Sequence, residues 1–253
     1  MKVDVFTHPC WFSCRTLEEF LKTHGVDYTH FDLASDKDAA ALIESKGIKS
    51  APITIVDDSE VIIGFYPKKL IATLDIKTQL DLSAKTEWLK EKYTAILGAS
   101  IVASKQFSIE QLETILPWRP QTLLDHMKHI ISFPDLAYAS HSTGSMSTED
   151  MRASYDNLKH ITTPSQIEAY GNTVIANIGA FLDSNDYDSF DRVVPAHYGG
   201  EVTVLELLTI ILSHSTHHLK QTYMYMNDYL KIKIESPATD KIFEGIITPE
   251  SLI

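Results

Sequence analysis

The chain has 253 residues, 44% of them hydrophobic and 22% charged, with 22 basic against 34 acidic side chains and a formal net charge of −12. That length allows one large or two small domains and a core that needs no covalent staple. The composition excludes disordered, collagenous and coiled-coil arrays, and the charge has the wrong sign for wrapping nucleic acid or an anionic membrane, which leaves small molecules and other proteins as partners.

In chain order, residues 2–7 alternate, with Val3 and Val5 apolar, and predict a strand. Cys14 to His24 predicts an amphipathic helix, with Leu17, Phe20 and Leu21 on one face and Gly25 as its C-cap. Val26 to Leu33 predicts a second strand, and Asp36 caps a helix that Gly47 closes. Pro52 to Val56 and Glu60 to Phe65 are β-branched runs separated by Asp57-Asp58-Ser59, a hairpin signal. Lys68 to Leu80 predicts another helix. The order β-α-β-α-β-β-α is the thioredoxin-like plan.

From about Leu82 to Ile234 the strand signal almost vanishes. Leu82 to about Lys105, Pro120 to Ile131, Pro164 to Leu182 and Val202 to Leu230 carry helical periodicity, with a polar crossover near Ser140 to Thr163. Four long helices predict an all-α four-helix bundle. The expected organisation is residues 1–78 as the α/β domain, 83–235 as the bundle and 236–253 as a tail. Tyr223, Met224, Tyr225, Met226 and Tyr229 read as core packing or as a homodimer contact.

The only cysteines are Cys10 and Cys14, too few for a disulfide scaffold. The start lacks the apolar run of a signal peptide, and the longest mostly apolar stretch, near Leu207 to Leu212, is about six residues against the roughly 20 that span a bilayer. A cytoplasmic address is expected. Cys14 sits where the first helix begins, and a helix N-terminus stabilises a thiolate, so Cys10 and Cys14 are the candidate catalytic thiols.

Residues 3–76 resemble the glutaredoxin family, nearest its NrdH-redoxin branch. The matching pieces are Val3 to Pro9, the helix after Cys14, Ala51-Pro52-Ile53, and Gly64 to Leu70. The resemblance implies a cis proline at Pro52 facing the redox turn. The spacing Cys-x-x-x-Cys is one residue longer than the family's Cys-x-x-Cys, and aligning the helix puts Cys14 on the second, buried cysteine. The run after Gly64 also lacks the pattern with which glutaredoxins hold glutathione.

Eight of the eleven histidines follow residue 125, and three crowd together as His214, His217 and His218. His214 and His218, at i and i+4, share one helix face, a spacing that chelates a divalent ion in zinc helices. His217 points to an edge of that face. His126 lies on the inner face of an earlier helix with Leu123 and Ile130.

Trp118 to His126, taken with His214-x-x-x-His218 and Gln221, resembles the DinB/YfiT family of metal-binding four-helix bundles. The likeness runs from about residue 83 to 231. It implies His126, His214 and His218 as ligands, with His129 the competitor for the first position. His129, His217 and Gln221 are otherwise expected beside the ligands or against substrate. Three neutral histidines leave an open position for water or a thiol, and nitrogen donors do not choose among zinc, nickel and iron.

The expected function is a metal-dependent, thiol-using transferase or isomerase. The metal would activate a low-molecular-weight thiol such as glutathione, or a protein cysteine, against a small electrophile. The N-terminal module would handle or recognise that thiol. Two alternatives stay open: a thiol–disulfide oxidoreductase acting on a protein disulfide with the bundle as scaffold, and a non-catalytic metal or redox sensor.

Overall fold

A computed structural model describes residues 1–9, 12–77, 82–196, 201–249 and 252. The N-terminal elements are β1 (Val3–Thr7), α1 (Phe12–Thr23), β2 (Thr29–Asp32), α2 (Lys37–Ser45), β3 (Ile53–Val56), β4 (Glu60–Ile63) and α3 (Pro67–Thr73). They build a four-stranded sheet in the order β2-β1-β3-β4. β1 and β2 are parallel, with Asp4 opposite Thr29, and parallel strands need a crossover, which α1 supplies. β3 runs antiparallel to β1, with Phe6 opposite Ile53, and β4 antiparallel to β3.

Every residue of β1 is buried because helices cover both sheet faces. Leu17, Leu21, Val5 and Leu70 pack on one face, and Phe6, Cys14, Ile43 and Ile53 on the other. Asp57 and Asp58, at φ 47° and 59°, make the left-handed turn that a tight β3–β4 hairpin requires. This is the thioredoxin-like plan, with Ala51–Pro52 in the cis form.

The remainder is helical: α4 (Leu82–Ser104), α5 (Ile109–Leu112), α6 (Leu123–Thr143), α7 (Thr148–Asn157), α8 (Pro164–Asp183), α9 (Tyr187–Phe190), a hairpin of β5 (Val193–Pro195) and β6 (Glu201–Thr203), α10 (Val204–Met224) and α11 (Asp240–Phe243). The long helices α4, α6, α8 and α10 form the bundle. They pair most closely as α6 with α10 and α4 with α8. The fully buried Tyr93 donates its hydroxyl to the Leu208 carbonyl at 2.6 Å and ties α4 to α10. A Cβ on Gly171 of α8 would stand 2.8 Å from Ile101 Cδ1 and 3.3 Å from Ile131 Cδ1, so any larger residue would force the Ile101 side chain to shift.

The structure differs from the sequence reading at several boundaries. The second strand is shorter than Val26 to Leu33. The helix expected from Lys68 to Leu80 runs from Pro67 to Thr73, and residues 78–81 lie outside the described part. The helix expected from Pro120 starts later because Thr122 is its cap, accepting from Asp125 N at 3.0 Å.

That same helix, α6, runs on through Pro134 to Thr143. Proline has no N–H, so the Ile130 carbonyl one turn back loses its helical donor. Ser215 of α10 replaces it, with its Oγ 2.8 Å from the Ile130 carbonyl oxygen. The crossover expected as polar loop contains α7, opened by a capping box of Ser147 and Asp150. Beyond α10 a π turn over Tyr225–Tyr229 continues the helix. Among the described residues no helix is long and apolar enough to cross a membrane.

Candidate metal centre

Two helices supply the histidines. α6 carries His126 and His129, and α10 carries His214, His217 and His218. One group with ligand-ready atoms forms among the described residues: His129, His214 and His218. The His214 Nε2 lies 3.2 Å from His129 Nε2 and 3.1 Å from His218 Nε2. Without a metal, an N–H on the His214 Nε2 can bridge these atoms; with all three inner nitrogens deprotonated, their lone pairs face one another across a gap that one cation can fill. Two ligand nitrogens about 2.1 Å from one ion and subtending roughly 90–109° would stand about 3.0–3.4 Å apart. The two separations to His214 match, and all three ligand atoms lie within 4.8 Å of one another, so the donor set fits a divalent metal.

The outer nitrogens of two rings are held. His129 Nδ1 is 2.5 Å from the Tyr155 hydroxyl, and His218 Nδ1 is 2.6 Å from Gln221 Oε1. Such partners fix ring orientation and choose which nitrogen keeps its lone pair. Phe133 shapes the floor, stacking on His214 with centroids 4.6 Å apart and touching His129 at 4.0 Å. Burial, the largest cause, and then the neighbouring imidazoles hold His129 and His218 well below the usual histidine pKa. Both are therefore neutral, the form that binds metal.

His126, the first-helix ligand expected from the resemblance, does not join this group. Its Nε2–H points at the α10 backbone, 3.1 Å from the His218 carbonyl and 3.2 Å from Thr222 Oγ1, and its Nδ1 is 3.3 Å from the Gln121 amide nitrogen. Both ring nitrogens are already used, and burial lowers its pKa to about 4. His126 is a neutral tie between α6 and α10, and His129, one turn on, occupies the place expected for it. His217 also stands outside the group; its Nδ1 is buried without a hydrogen-bond partner.

Sequence reasoning missed Tyr155, because it lies on α7 where a loop was expected. The Ser147-x-x-Asp150 capping signature could have revealed that helix. It also missed Phe133, adjacent to the proline that hid the second half of α6.

At the other candidate site, Cys14 lies in the first turn of α1 but is buried among Phe6, Ile43, Ala51 and Ile53. Its Sγ accepts from the His8 N–H at 3.3 Å, and still burial pushes its pKa up to about 12. The lowering expected from the helix terminus is thus overridden by desolvation. Cys10, the other expected thiol, lies outside the described residues. Pro52 is buried beside Cys14's neighbour Ala51, and its carbonyl accepts from Gly64 N at 2.7 Å.

Three comparisons with known proteins bear on different parts of the chain. Residues 30% of the chain long match "Gene 56 protein" of Mycobacterium phage D29 at 29% identity over 77 residues, covering 86% of that protein. A crystal structure of a mutant of the thioredoxin-like protein BC3987 is 34% identical, spans 30% of this chain and 97% of its own, and has a TM-score of 0.28. The DinB superfamily model matches residues 103–222, from the end of α4 through the two histidine-bearing helices. The chain thus joins a sheet domain of thioredoxin-like topology to a helical region whose residues 103–222 match the DinB superfamily model, and His129, His214 and His218 all lie within the matched residues.

Proposed function

We propose that the protein is a thiol-using metalloenzyme, a transferase or isomerase, in which His129, His214 and His218 hold a divalent metal. The convergence of three Nε2 atoms, two of the contacts at 3.1 and 3.2 Å, carries this reading. When bound, the metal supplies an open position at which a thiol is favoured as its thiolate at neutral pH.

The rest is the work of this chain's residues. Tyr155 and Gln221 accept the Nδ1 protons of His129 and His218 and so leave the Nε2 lone pairs facing inward. Phe133 excludes water from one side and keeps the His214 ring upright. The half-exposed edge at His214 is the side on which a small thiol and its electrophile can enter. The thioredoxin-like part handles or recognises the thiol in this proposal, as the pairing of a thiol-handling fold with three metal-ready imidazoles suggests.

Metal analysis tests the reading directly. Protein never exposed to chelator should carry about one zinc, nickel or iron ion per chain. His129→Ala and His214→Ala should fall to near none, whereas His126→Gln should keep its metal. Glutathione transfer to a chromogenic electrophile should fall with the metal in the same variants. Metal-free protein from such preparations, or loss of metal in His126→Gln equal to that in His129→Ala, would sink the assignment.

A further inference from the structure

After the π turn the chain comes back along α10. The Ala238 N–H donates to the Tyr223 hydroxyl at 2.9 Å, Lys220 Nζ stands 5.0 Å above the Phe243 ring, and Ile246 is buried. Gly245, at φ 78° and against Trp88, lets the segment turn. Ser213 Oγ donates to the Ile247 carbonyl, Lys220 Nζ reaches Thr248 Oγ1 at 2.9 Å, and the Gln221 Nε2 donates to the Leu252 carbonyl at 2.5 Å. Among the described residues of this segment, Ile247 thus meets Ser213, Thr248 meets Lys220 and Leu252 meets Gln221.

The last of these contacts differs from the others because Gln221 has a second end in the histidine group. An amide side chain has two chemically unlike ends, an NH2 that only donates and an oxygen that only accepts. The Leu252 carbonyl can only accept, so it requires the NH2. The oxygen must then face His218 Nδ1, 2.6 Å away, and only a protonated Nδ1 satisfies it. A neutral imidazole has one N–H, so the lone pair goes to His218 Nε2, the atom 3.1 Å from His214 Nε2. Rotating the amide by half a turn would reverse the assignment and put the proton where a metal must bind.

We propose that the C-terminal segment, through the Leu252 carbonyl and the Gln221 amide, selects the Nδ1–H tautomer of His218 and so sets the affinity of the three-histidine group for a divalent cation. Gln221 is a positioning residue in this scheme, and the proposal rests on the metal reading above.

The test removes residues 247–253 and reads two quantities. Nitrogen and proton NMR of the metal-free chain should show His218 as the Nδ1–H tautomer at full length, and as a mixture or the Nε2–H form after truncation. Zinc affinity, by competition with a chromophoric chelator, should weaken about 10- to 100-fold, the usual effect of losing a partner of a metal-bound histidine. Gln221→Glu has no NH2 end to orient, so its zinc affinity should change less than about threefold on truncation. Full-length Gln221→Leu reads the same relay with the tail intact and should lose the tautomer preference.

An unchanged Nδ1–H tautomer in the truncated chain or in Gln221→Leu overturns the proposal, as does truncation that leaves zinc affinity unchanged. Failure of the full chain to bind zinc would instead overturn the metal reading, while the tautomer measurement would still decide the relay.

Discussion

Cys14 and the histidine group experience the same physical force with opposite results. Each is buried, and burial penalises the charged form of any titratable side chain. A thiol reacts through its charged form, so burial pushes Cys14 to about 12 and silences it as a nucleophile near neutral pH. An imidazole binds metal through its neutral form, so the same penalty prepares His129 and His218 to act as ligands. One fold thus contains a cysteine held inactive and histidines held ready.

The sharpest way to break this contrast is to alkylate Cys14. In a Cys10→Ser chain, iodoacetamide at about pH 7.5 should react roughly a thousandfold more slowly than in the urea-unfolded chain, since thiolate governs the rate. The rate should climb with pH toward about 12. The sign also fixes a stability effect: the folded pKa is raised, so the protonated thiol's contribution is complete below its ordinary 9.0 and is lost as pH rises through about 12. Equal alkylation rates in folded and unfolded chains would show that Cys14 is not silenced.

A second variant asks how tightly the helices pack beside the histidine group. Gly171→Ala presses a methyl group onto Ile101 and Ile131, the latter two residues along α6 from His129. It should cost about 1–3 kcal/mol in denaturant unfolding, as overpacking does. A cost below about 0.3 kcal/mol would mean that α4 and α8 can move apart freely.

The smallest effect extends the contrast to a carboxyl. Glu206 opens α10, its Oε2 is buried without a hydrogen-bond partner, and burial raises its pKa well above the usual carboxylate value, with Lys85 opposing. A raised pKa means that its contribution to stability is complete below its ordinary 4.5 and is lost as pH rises through the folded value. Glu206→Gln should therefore melt higher than the parent at neutral pH, with the difference closing toward pH 4.5. A variant that melts lower at neutral pH would show that the carboxylate is stabilised by partners instead.

The sequence made some features legible and concealed others for physical reasons. The alternation of residues 2–7 and the β-branched run Pro52 to Val56 with its Asp turn announce strands, and Leu17, Phe20 and Leu21 announce a helix face. Period alone does not distinguish His126 from His129. They are three residues apart on one side of α6, and only its rotation against α10 decides which ring meets His214. Tyr155 was hidden because α7 buries none of its residues fully, leaving no apolar period to read. The returning tail was hidden because, among its described residues, Ile246 alone is buried and the other attachments are polar contacts and partly buried side chains with no regular period. Pro134 concealed half of α6 by resembling a helix stop.

That proline has a further consequence. Its missing N–H leaves one carbonyl, that of Ile130, which Ser215 reaches from α10. Sliding α10 along α6 by one turn, about 5.4 Å, would strand that oxygen in an apolar interior. A stranded group of this kind costs about 1–3 kcal/mol. Ile130 follows His129 and Ser215 follows His214, so the pair works as a key in a keyway. It indexes the two helices to the setting in which the rings face each other, although neither residue touches a metal.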